Sequence, residues 1–327
     1  MNRKLMTALI AGVLCMGSLS ACSSTTKAAD NTSSKLQITT SIYPEYEWVN
    51  AVLGSHKDEA NVTLLMQNGV DLHSYQPSTQ DILTVKNSDL FIYVGGESDG
   101  WAEDASKDAK NPNFRSIDLM DLLKDIKKQE VAKEGMQKDP DDDGEIEYDE
   151  HVWLSLRNAE KVVKNIADQL SALQPENQTD FQANADAYIK QLSALDQRYQ
   201  KTVDNAPVKT LVFGDRFPFR YMVDDYNLDY YAAFVGCSAE TEASFETITF
   251  LAKKIDELNL KHIMVIETSD KKIANTLKNN TASHDQDILV LDSIQSVDKE
   301  KMKQSYLDIM ESNLNVLAQA LDTEPAE

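Results

Sequence analysis

Cysteine is scarce in this chain of 327 residues, which contains only three. Cys15 lies within an apolar N-terminal run and Cys22 follows that run, so Cys237 is the one thiol left for the folded body. A single thiol excludes an internal disulfide, and the fold is therefore predicted to be stabilised by packing alone. The roughly 300 residues after the apolar run are enough for two lobes with good cores.

Long apolar segments are also rare, and residues 5–19 form the only one, preceded by Arg3 and Lys4. This run is shorter than the ~20 residues of a membrane span and is typical of a secretory signal peptide. Small residues then lead to Cys22, as in a bacterial lipobox. We therefore interpret residues 1–21 as a lipoprotein signal peptide and Cys22 as the lipidated N-terminus of an extracytoplasmic membrane lipoprotein. An ordinary signal peptide with a chance cysteine is the alternative.

Positive charge is in short supply, with 32 Lys and Arg residues against 54 Asp and Glu residues and a formal net charge of −22. Such a field repels nucleic acid and attracts cations. Nucleic acid is therefore excluded as a partner, although acidity alone does not identify the function.

The order of apolar patterns predicts an α/β fold with two lobes, each a mainly parallel sheet flanked by helices. Residues 22–34 are predicted to be a flexible tether, and residues 35–174 an N-terminal lobe with an acidic loop at 129–150. One long rigid linker helix, residues 175–203, would lead to a C-terminal lobe at 204–327. Because ligands bind beyond the carboxyl ends of parallel strands, the site is expected in the cleft between the lobes.

Two of the five histidines stand apart from the others. His73 and His151 lie at the ends of predicted elements and close to carboxylates. Neutral imidazole is the commonest nitrogen ligand of first-row metals, and a neighbouring carboxylate can orient the ring. His56, His262 and His284 lie in polar turns or at a strand start, where a structural or solvated role is expected.

Several segments resemble a known family at this point. The segment DLHSYQPS (residues 71–78) is similar to the D-P-H-x-Y-x-P-S motif of the zinc/manganese ABC-transporter solute-binding lipoproteins (cluster A-I), and DEHVWLS (149–155) resembles their D-P-H-x-W-L. Residues 219–228 and 305–314 resemble two further segments of that family in the right order. The resemblance implies two lobes joined by a rigid helix, and an ABC-transporter permease as partner.

The resemblance also implies four metal-contacting positions. His73 and His151 carry over directly. The family's third ligand, His or Glu, falls here on Arg216, whose guanidinium cannot bind a metal, and the adjacent Asp215 is the candidate substitute. Its alternative role is to cap the following helix. Asp292 matches the fourth position, with a simple turn role as its alternative.

Three further residues lie near these positions in the sequence. Glu150 and Glu267 are expected to support the ligands from behind rather than to bind the metal. Cys237 could be a soft ligand, but we interpret it as a small buried residue.

Two imidazoles and two carboxylates suit tetrahedral Zn²⁺, with Mn²⁺ or Fe²⁺ as the alternative.

The acidic insert also fits a Ca²⁺-binding EF-hand loop, because acids occur at the required spacing around Gly144. Its poor entering helix favours a flexible cation-collecting loop or a merely solvated loop instead. The candidate Ca²⁺ ligands are Asp139, Asp141, Asp143, Glu145 and Glu150.

The predicted function is capture of Zn²⁺ between the lobes by a monomeric lipoprotein and its delivery to a membrane ABC importer. An enzyme is not expected, because no H-E-x-x-H, G-x-S-x-G or glycine-rich phosphate loop is present. A surface adhesin or interaction lipoprotein is the remaining alternative, since lipid anchoring displays the whole chain.

Overall fold

The computed structural model describes residues 35–137, 146–238 and 242–327. The predicted signal peptide, Cys22 and the tether lie outside these ranges. So do four of the five candidate Ca²⁺ ligands, Asp139, Asp141, Asp143 and Glu145. The expectations attached to these residues stay predictions.

The first lobe is a four-stranded sheet in the order β2-β1-β3-β4, with every neighbouring pair parallel. Strands β1, β3 and β4 lead into helices within a few residues, whereas a longer loop follows β2 before its helix begins. The strands are β1 (Leu36–Thr40), β2 (Ala60–Leu64), β3 (Leu90–Tyr93) and β4 (Arg115–Asp118), and the helices are α1 (Tyr43–Leu53), α2 (Thr79–Lys86), α3 (Gly100–Lys107) and α4 (Leu119–Leu122).

Two long antiparallel-packed helices follow, α5 (Leu156–Leu173) and α6 (Gln178–Asn205). At ~1.5 Å per residue, α6 extends about 42 Å from the first lobe to the second. Its apolar face is buried, and the hydroxyl of Tyr199 donates to the backbone oxygen of Met310 at 2.6 Å. The long helix predicted between the lobes is confirmed, and it ends a few residues later than expected.

The second lobe repeats the arrangement with a parallel sheet in the order β6-β5-β7-β8. The register of β5 shifts between Phe213 and Arg216, so the end of this strand is irregular. The strands are β5 (Thr210–Phe217), β6 (Asp229–Val235), β7 (His262–Val265) and β8 (Asp287–Val290), and the helices are α7 (Arg220–Tyr226), α8 (Phe245–Leu258), α9 (Lys272–Asn280) and α10 (Tyr306–Ala320).

The two lobes share one continuous core around the base of the cleft. Trp48 of α1 packs edge-on against Tyr306 of α10, with ring centroids 5.2 Å apart. The Tyr306 hydroxyl donates to the Trp153 backbone oxygen at 2.6 Å, and the Trp153 indole donates to the Ser293 backbone oxygen at 2.9 Å. The predicted two-lobe α/β fold is confirmed, and its lobes are joined by packing as well as by α6.

Within the described part of the chain, none of the helices combines the length and the apolar character that crossing a membrane requires.

Candidate metal centre

His73 lies in the loop that follows β2, on a single 3-10 turn formed by residues Leu72–Ser74. The Asp71 carboxylate caps this turn by accepting a hydrogen bond from the His73 backbone N–H at 2.9 Å. Leu72 is fully buried and anchors the turn in the core. A short polar cap and one apolar anchor thus present the imidazole at the carboxyl end of the first sheet.

His151 is held in the same way, immediately before a 3-10 turn formed by Val152–Leu154. Asp149 accepts from the His151 backbone N–H at 2.9 Å and from its ring Nδ1 at 3.0 Å. Trp153, two residues on, is fully buried. His151 itself has no exposed surface, so its ring is fixed on every side.

The two rings meet edge to edge, with their Nε2 atoms 3.1 Å apart. When Nδ1 of His73 donates to the Ser98 hydroxyl at 2.9 Å and Nδ1 of His151 donates to Asp149, both Nε2 atoms carry lone pairs. Two facing lone pairs repel unless a cation lies between them. Two imidazoles on a tetrahedral Zn²⁺, at Zn–N distances of about 2.0–2.1 Å, place their nitrogens roughly 3.3 Å apart. The pair therefore fits a shared metal.

The electrostatic environment treats the two rings differently. Burial and the neighbouring His151 lower the pKa of His73 to about 3, which keeps this ring neutral and able to bind a metal. Burial alone would also lower the pKa of His151, but the carboxylates of Asp149, Glu150 and Glu130 together outweigh it and raise that pKa above its ordinary value. Asp149 therefore both orients the ring and makes it more basic.

Cys237 is the third member of this group. Its sulfur and one nitrogen of each histidine all lie within 4.8 Å of one another, and this is the one such group of potential metal ligands among the described residues. Cys237 follows the end of β6 and is half-buried. Burial and the Glu130 carboxylate raise the pKa of its thiol. The interpretation of Cys237 as a mere packing residue missed its position beside both histidines.

Gly236 is what allows β6 to end against His151. A Cβ atom at this position would lie 3.1 Å from Cε1 of the His151 ring and 3.0 Å from the Phe217 backbone oxygen. A side chain here would crowd the His151 ring, which would have to give way by a few tenths of an ångström, so the glycine permits the close approach of this segment to His151.

The two carboxylates proposed as ligands lie outside the group. Asp215 accepts from the Arg216 backbone N–H at 2.8 Å, and its second oxygen is buried without a partner on the wall of the cleft. Asp292 accepts from the Ile294 backbone N–H at 2.9 Å and forms an ion pair with Lys301. The structure therefore brings His73 and His151 together but not these two acids.

The two carboxylates expected to act from behind each contact a serine of the site. Glu150 accepts from the Ser98 backbone N–H at 3.0 Å, and Ser98 in turn contacts His73. Glu267 accepts from the Ser293 backbone N–H at 2.8 Å and from the Ser293 hydroxyl at 2.9 Å. Glu150 is therefore connected to His73 through Ser98, and Glu267 holds Ser293 in the loop after β8.

Residues 38–320 match the family model of ZnuA, described as zinc-uptake complex component A, periplasmic. The chain belongs to the ZnuA family. The zinc-binding lipoprotein AdcA of Streptococcus pneumoniae (strain TIGR4) is 32% identical over 321 residues, which cover 97% of this chain and 61% of AdcA. The high-affinity zinc uptake system protein ZnuA of Bacillus subtilis is 30% identical, with 91% and 92% covered.

The fold comparison agrees with the family assignment. The Zn(II)-bound ZnuA-like domain of S. pneumoniae AdcA aligns with a TM-score of 0.69 at 30% identity, covering 88% of this chain and all of that domain. The chain spans about three fifths of the length of the AdcA relatives it matches. The predicted membership of a metal-binding solute-binding family is confirmed.

A cavity of about 570 Å³ opens beside His73, between the ends of the two sheets of this ZnuA-family chain. The Arg216 guanidinium crosses it and pairs with the Asp71 carboxylate at 3.0 Å. Arg216 comes from β5 and Asp71 caps the His73 turn, so this ion pair ties the second lobe to the metal-facing loop of the first. Arg216 therefore has a structural partner in the position where the family resemblance placed a ligand.

The three remaining histidines lie elsewhere. His56 contacts Glu59 and Asp180, each at 2.9 Å, and His262 approaches Asp322 at 3.6 Å. His284 contacts the Lys278 backbone oxygen at 3.2 Å. None of them belongs to the group formed by His73, His151 and Cys237.

Proposed function

We propose that this chain captures Zn²⁺ in the cleft between its lobes and delivers it to the permease of a membrane ABC importer. The observation that carries this proposal is the 3.1 Å approach of the two Nε2 atoms of His73 and His151, each ring held through its other nitrogen. Neutral imidazoles fixed in this way are strong zinc ligands. The zinc-binding relatives support the choice of Zn²⁺, with Mn²⁺ or Fe²⁺ as the competitor.

Capture and release follow from the position of the site between two lobes. A metal that binds groups of both lobes stabilises the closed arrangement more than the open one. The importer can then distinguish a loaded protein from an empty one by its shape. This role needs binding and release only, so we propose no catalytic step.

The location follows from the lipobox and the family together. We propose that the chain acts as a monomer outside the cytoplasm, held to the cell membrane through a lipid on Cys22. Metabolic labelling with a fatty-acid probe tests this part, and Cys22→Ala should abolish labelling and release the protein into the medium or periplasm. Labelling of the Cys22→Ala variant at the wild-type level would contradict the anchor.

Zinc affinity tests the site directly. The affinity of His73→Ala and His151→Ala, measured by competition with a chelating dye, should fall more than about 100-fold, because each loses a metal ligand. His284→Ala, a histidine remote from the cleft, is the matched control and should keep the wild-type affinity. Unchanged affinity in either of the first two variants would mean that the metal lies elsewhere. Competition with Mn²⁺ in the same assay ranks the two ions.

Transport is measured separately. Cells that lack the gene should regain uptake of radioactive zinc with the wild-type copy but not with the His151→Ala copy. Restoration by both copies would contradict delivery through this site.

A further inference from the structure

We infer that the second lobe contributes its half of the zinc site through the Cys237 thiolate and the side-chain carbonyl oxygen of Gln295. This inference rests on the proposed function and assigns the ligands that face the two histidines. Together with His73 and His151 it gives a donor set of two nitrogens, one sulfur and one oxygen.

The Cys237 sulfur lies within 4.8 Å of a nitrogen of each histidine, so a closure of about 1 Å or less brings it to the separation that a shared metal requires. Ligand atoms on a tetrahedral zinc, with Zn–S of about 2.3 Å, are separated by roughly 3.3–3.8 Å. The observed group lies within 4.8 Å. The Cys237 backbone N–H donates to the Glu130 carboxylate at 2.9 Å, which fixes the turn after β6. On binding Zn²⁺ the thiol releases its proton to solvent, and the metal–sulfur bond replaces the S–H bond.

Gln295 lies in the loop after β8, and its side chain faces His151. Its Oε1 atom lies 3.2 Å from Nε2 of His151, and its side chain is buried. Its Nε2 donates to the Ser293 hydroxyl at 2.9 Å, and that hydroxyl donates onward to Glu267 at 2.9 Å. Because the single hydroxyl proton is used on Glu267, Ser293 accepts from Gln295 and the amide oxygen must face the histidine. Two acceptors that face each other are both satisfied by a cation.

The backbone beside Gln295 carries an independent sign of function. Ile294 has a φ of 57°, in the left-handed region that a β-branched residue rarely adopts. Such strain persists where the surroundings enforce it, and it is concentrated at binding sites. Here Asp292 enforces it by accepting the Ile294 backbone N–H, while Lys301 neutralises the same carboxylate. Asp292 is thus a positioning residue that turns Gln295 toward the cleft.

This donor set also bears on metal selection. Thiolate and imidazole favour Zn²⁺, whereas carboxylate oxygens suit Mn²⁺. A site built from Cys237 and Gln295 has one soft anion and one neutral oxygen in place of two carboxylates. The chain therefore discriminates against Mn²⁺ by ligand chemistry, even though Mn²⁺ has the same charge as Zn²⁺.

X-ray absorption of the zinc-loaded full chain tests the sulfur ligand directly. We expect one sulfur at about 2.3 Å from the metal, and its absence from the wild-type spectrum would overturn the inference. With Co²⁺ as the probe, the wild type should show a thiolate-to-cobalt charge-transfer band. Cys237→Ser should lose that band while keeping the weaker visible bands that report bound Co²⁺. Circular dichroism of the metal-free variant verifies that it is folded.

Zinc affinity then separates the candidate ligands. We expect a loss of about 100-fold or more for Cys237→Ser and about 10-fold for Gln295→Ala, whereas Gln295→Glu should keep zinc and improve the relative affinity for Mn²⁺. Gln319→Ala, an exposed glutamine of α10, is the matched control and should change the affinity less than about 3-fold. A 100-fold loss in Asp215→Asn with none in Gln295→Ala overturns the Gln295 half of the inference. Loss of affinity in the histidine variants alone overturns both halves but leaves the proposed function intact.

Discussion

The two lobes build their halves of the site in different ways. In the first lobe, His73 and His151 each adjoin a single 3-10 turn, with an aspartate two residues before the histidine and a buried apolar anchor beside it. In the second lobe, Cys237 and Gln295 come from two loops that are 58 positions apart and share no local pattern. A half-site built from one repeated short motif can be recognised in a sequence, whereas a half-site assembled from separate loops cannot.

The largest loss of stability is expected at Trp153, where the two lobes are joined. Trp153 is fully buried and contacts Ser293 and Tyr306 of the second lobe through hydrogen bonds. Trp153→Ala should lower the free energy of unfolding by about 3–5 kcal/mol, because it leaves a large cavity and an unpaired carbonyl. Urea unfolding measures this loss. Phe245→Ala, at a side chain that is 82% exposed, is the control and should stay within about 0.5 kcal/mol of wild type.

A buried acid should make the first lobe sensitive to pH. Burial raises the pKa of Asp99 to about 7, well above its unfolded value. The folded state therefore binds this proton more tightly, so the contribution of Asp99 is most favourable at low pH and is lost as pH rises through about 4 to 7. Between pH 5 and pH 8 the free energy of unfolding should therefore fall by about 2–3 kcal/mol less in Asp99→Asn than in the wild type. An unchanged pH slope in this variant would contradict the assignment.

The orientation of the histidines should matter more at His151 than at His73. Asp149 accepts from Nδ1 of the His151 ring and raises the pKa of that ring, whereas Nδ1 of His73 contacts the neutral hydroxyl of Ser98. Asp149→Asn should weaken zinc binding by about 10–100-fold, and Ser98→Ala by about 10-fold or less. Dye competition measures both affinities. Asp104→Asn, on the exposed face of α3, serves as the control. Equal losses of zinc affinity in all three variants would contradict the stronger effect expected at His151.

The smallest effect on stability is expected for the ion pair between Arg216 and Asp71, which crosses the cleft. Arg216 and Asp71 are each 17% exposed and lie 3.0 Å apart. A double-mutant cycle with Arg216→Ala and Asp71→Asn should give a coupling energy of about 0.5–1 kcal/mol in urea unfolding. The exposed pair Lys253–Glu257 is the comparison and should give about 0.3–0.5 kcal/mol at most. A smaller coupling for the cleft pair than for the helix pair would show that the lobes are not tied together there.

The two half-sites also differ in what could be predicted. The alternation of strands and helices was visible because each element carries its own hydrophobic period, and the histidines were visible because their aspartates lie two residues away. The sequence around Cys237 predicts a small buried residue, since nothing in it indicates that β6 ends against His151. The close approach depends on Gly236 and on the packing of two sheets. The small residue before Cys237 was the one available signal.

The region after β8 shows what a sequence pattern leaves open. The family resemblance placed the fourth ligand on Asp292, three residues before the side chain that faces His151. Ile294, which lies between the two, has a left-handed backbone conformation. A sequence pattern identifies the loop, but the left-handed backbone at Ile294 and the contact of Gln295 with His151 are visible only in the folded chain.

The sequence by itself determined the two-lobe α/β architecture, the long connecting helix and the two histidines, because periodicity and short capping motifs act over a few residues. The tertiary structure alone decided which groups of the second lobe face those histidines. That choice depends on contacts between segments separated by dozens of positions, on the approach that Gly236 permits and on the strained turn at Ile294. Interactions of that range leave no local pattern in the chain.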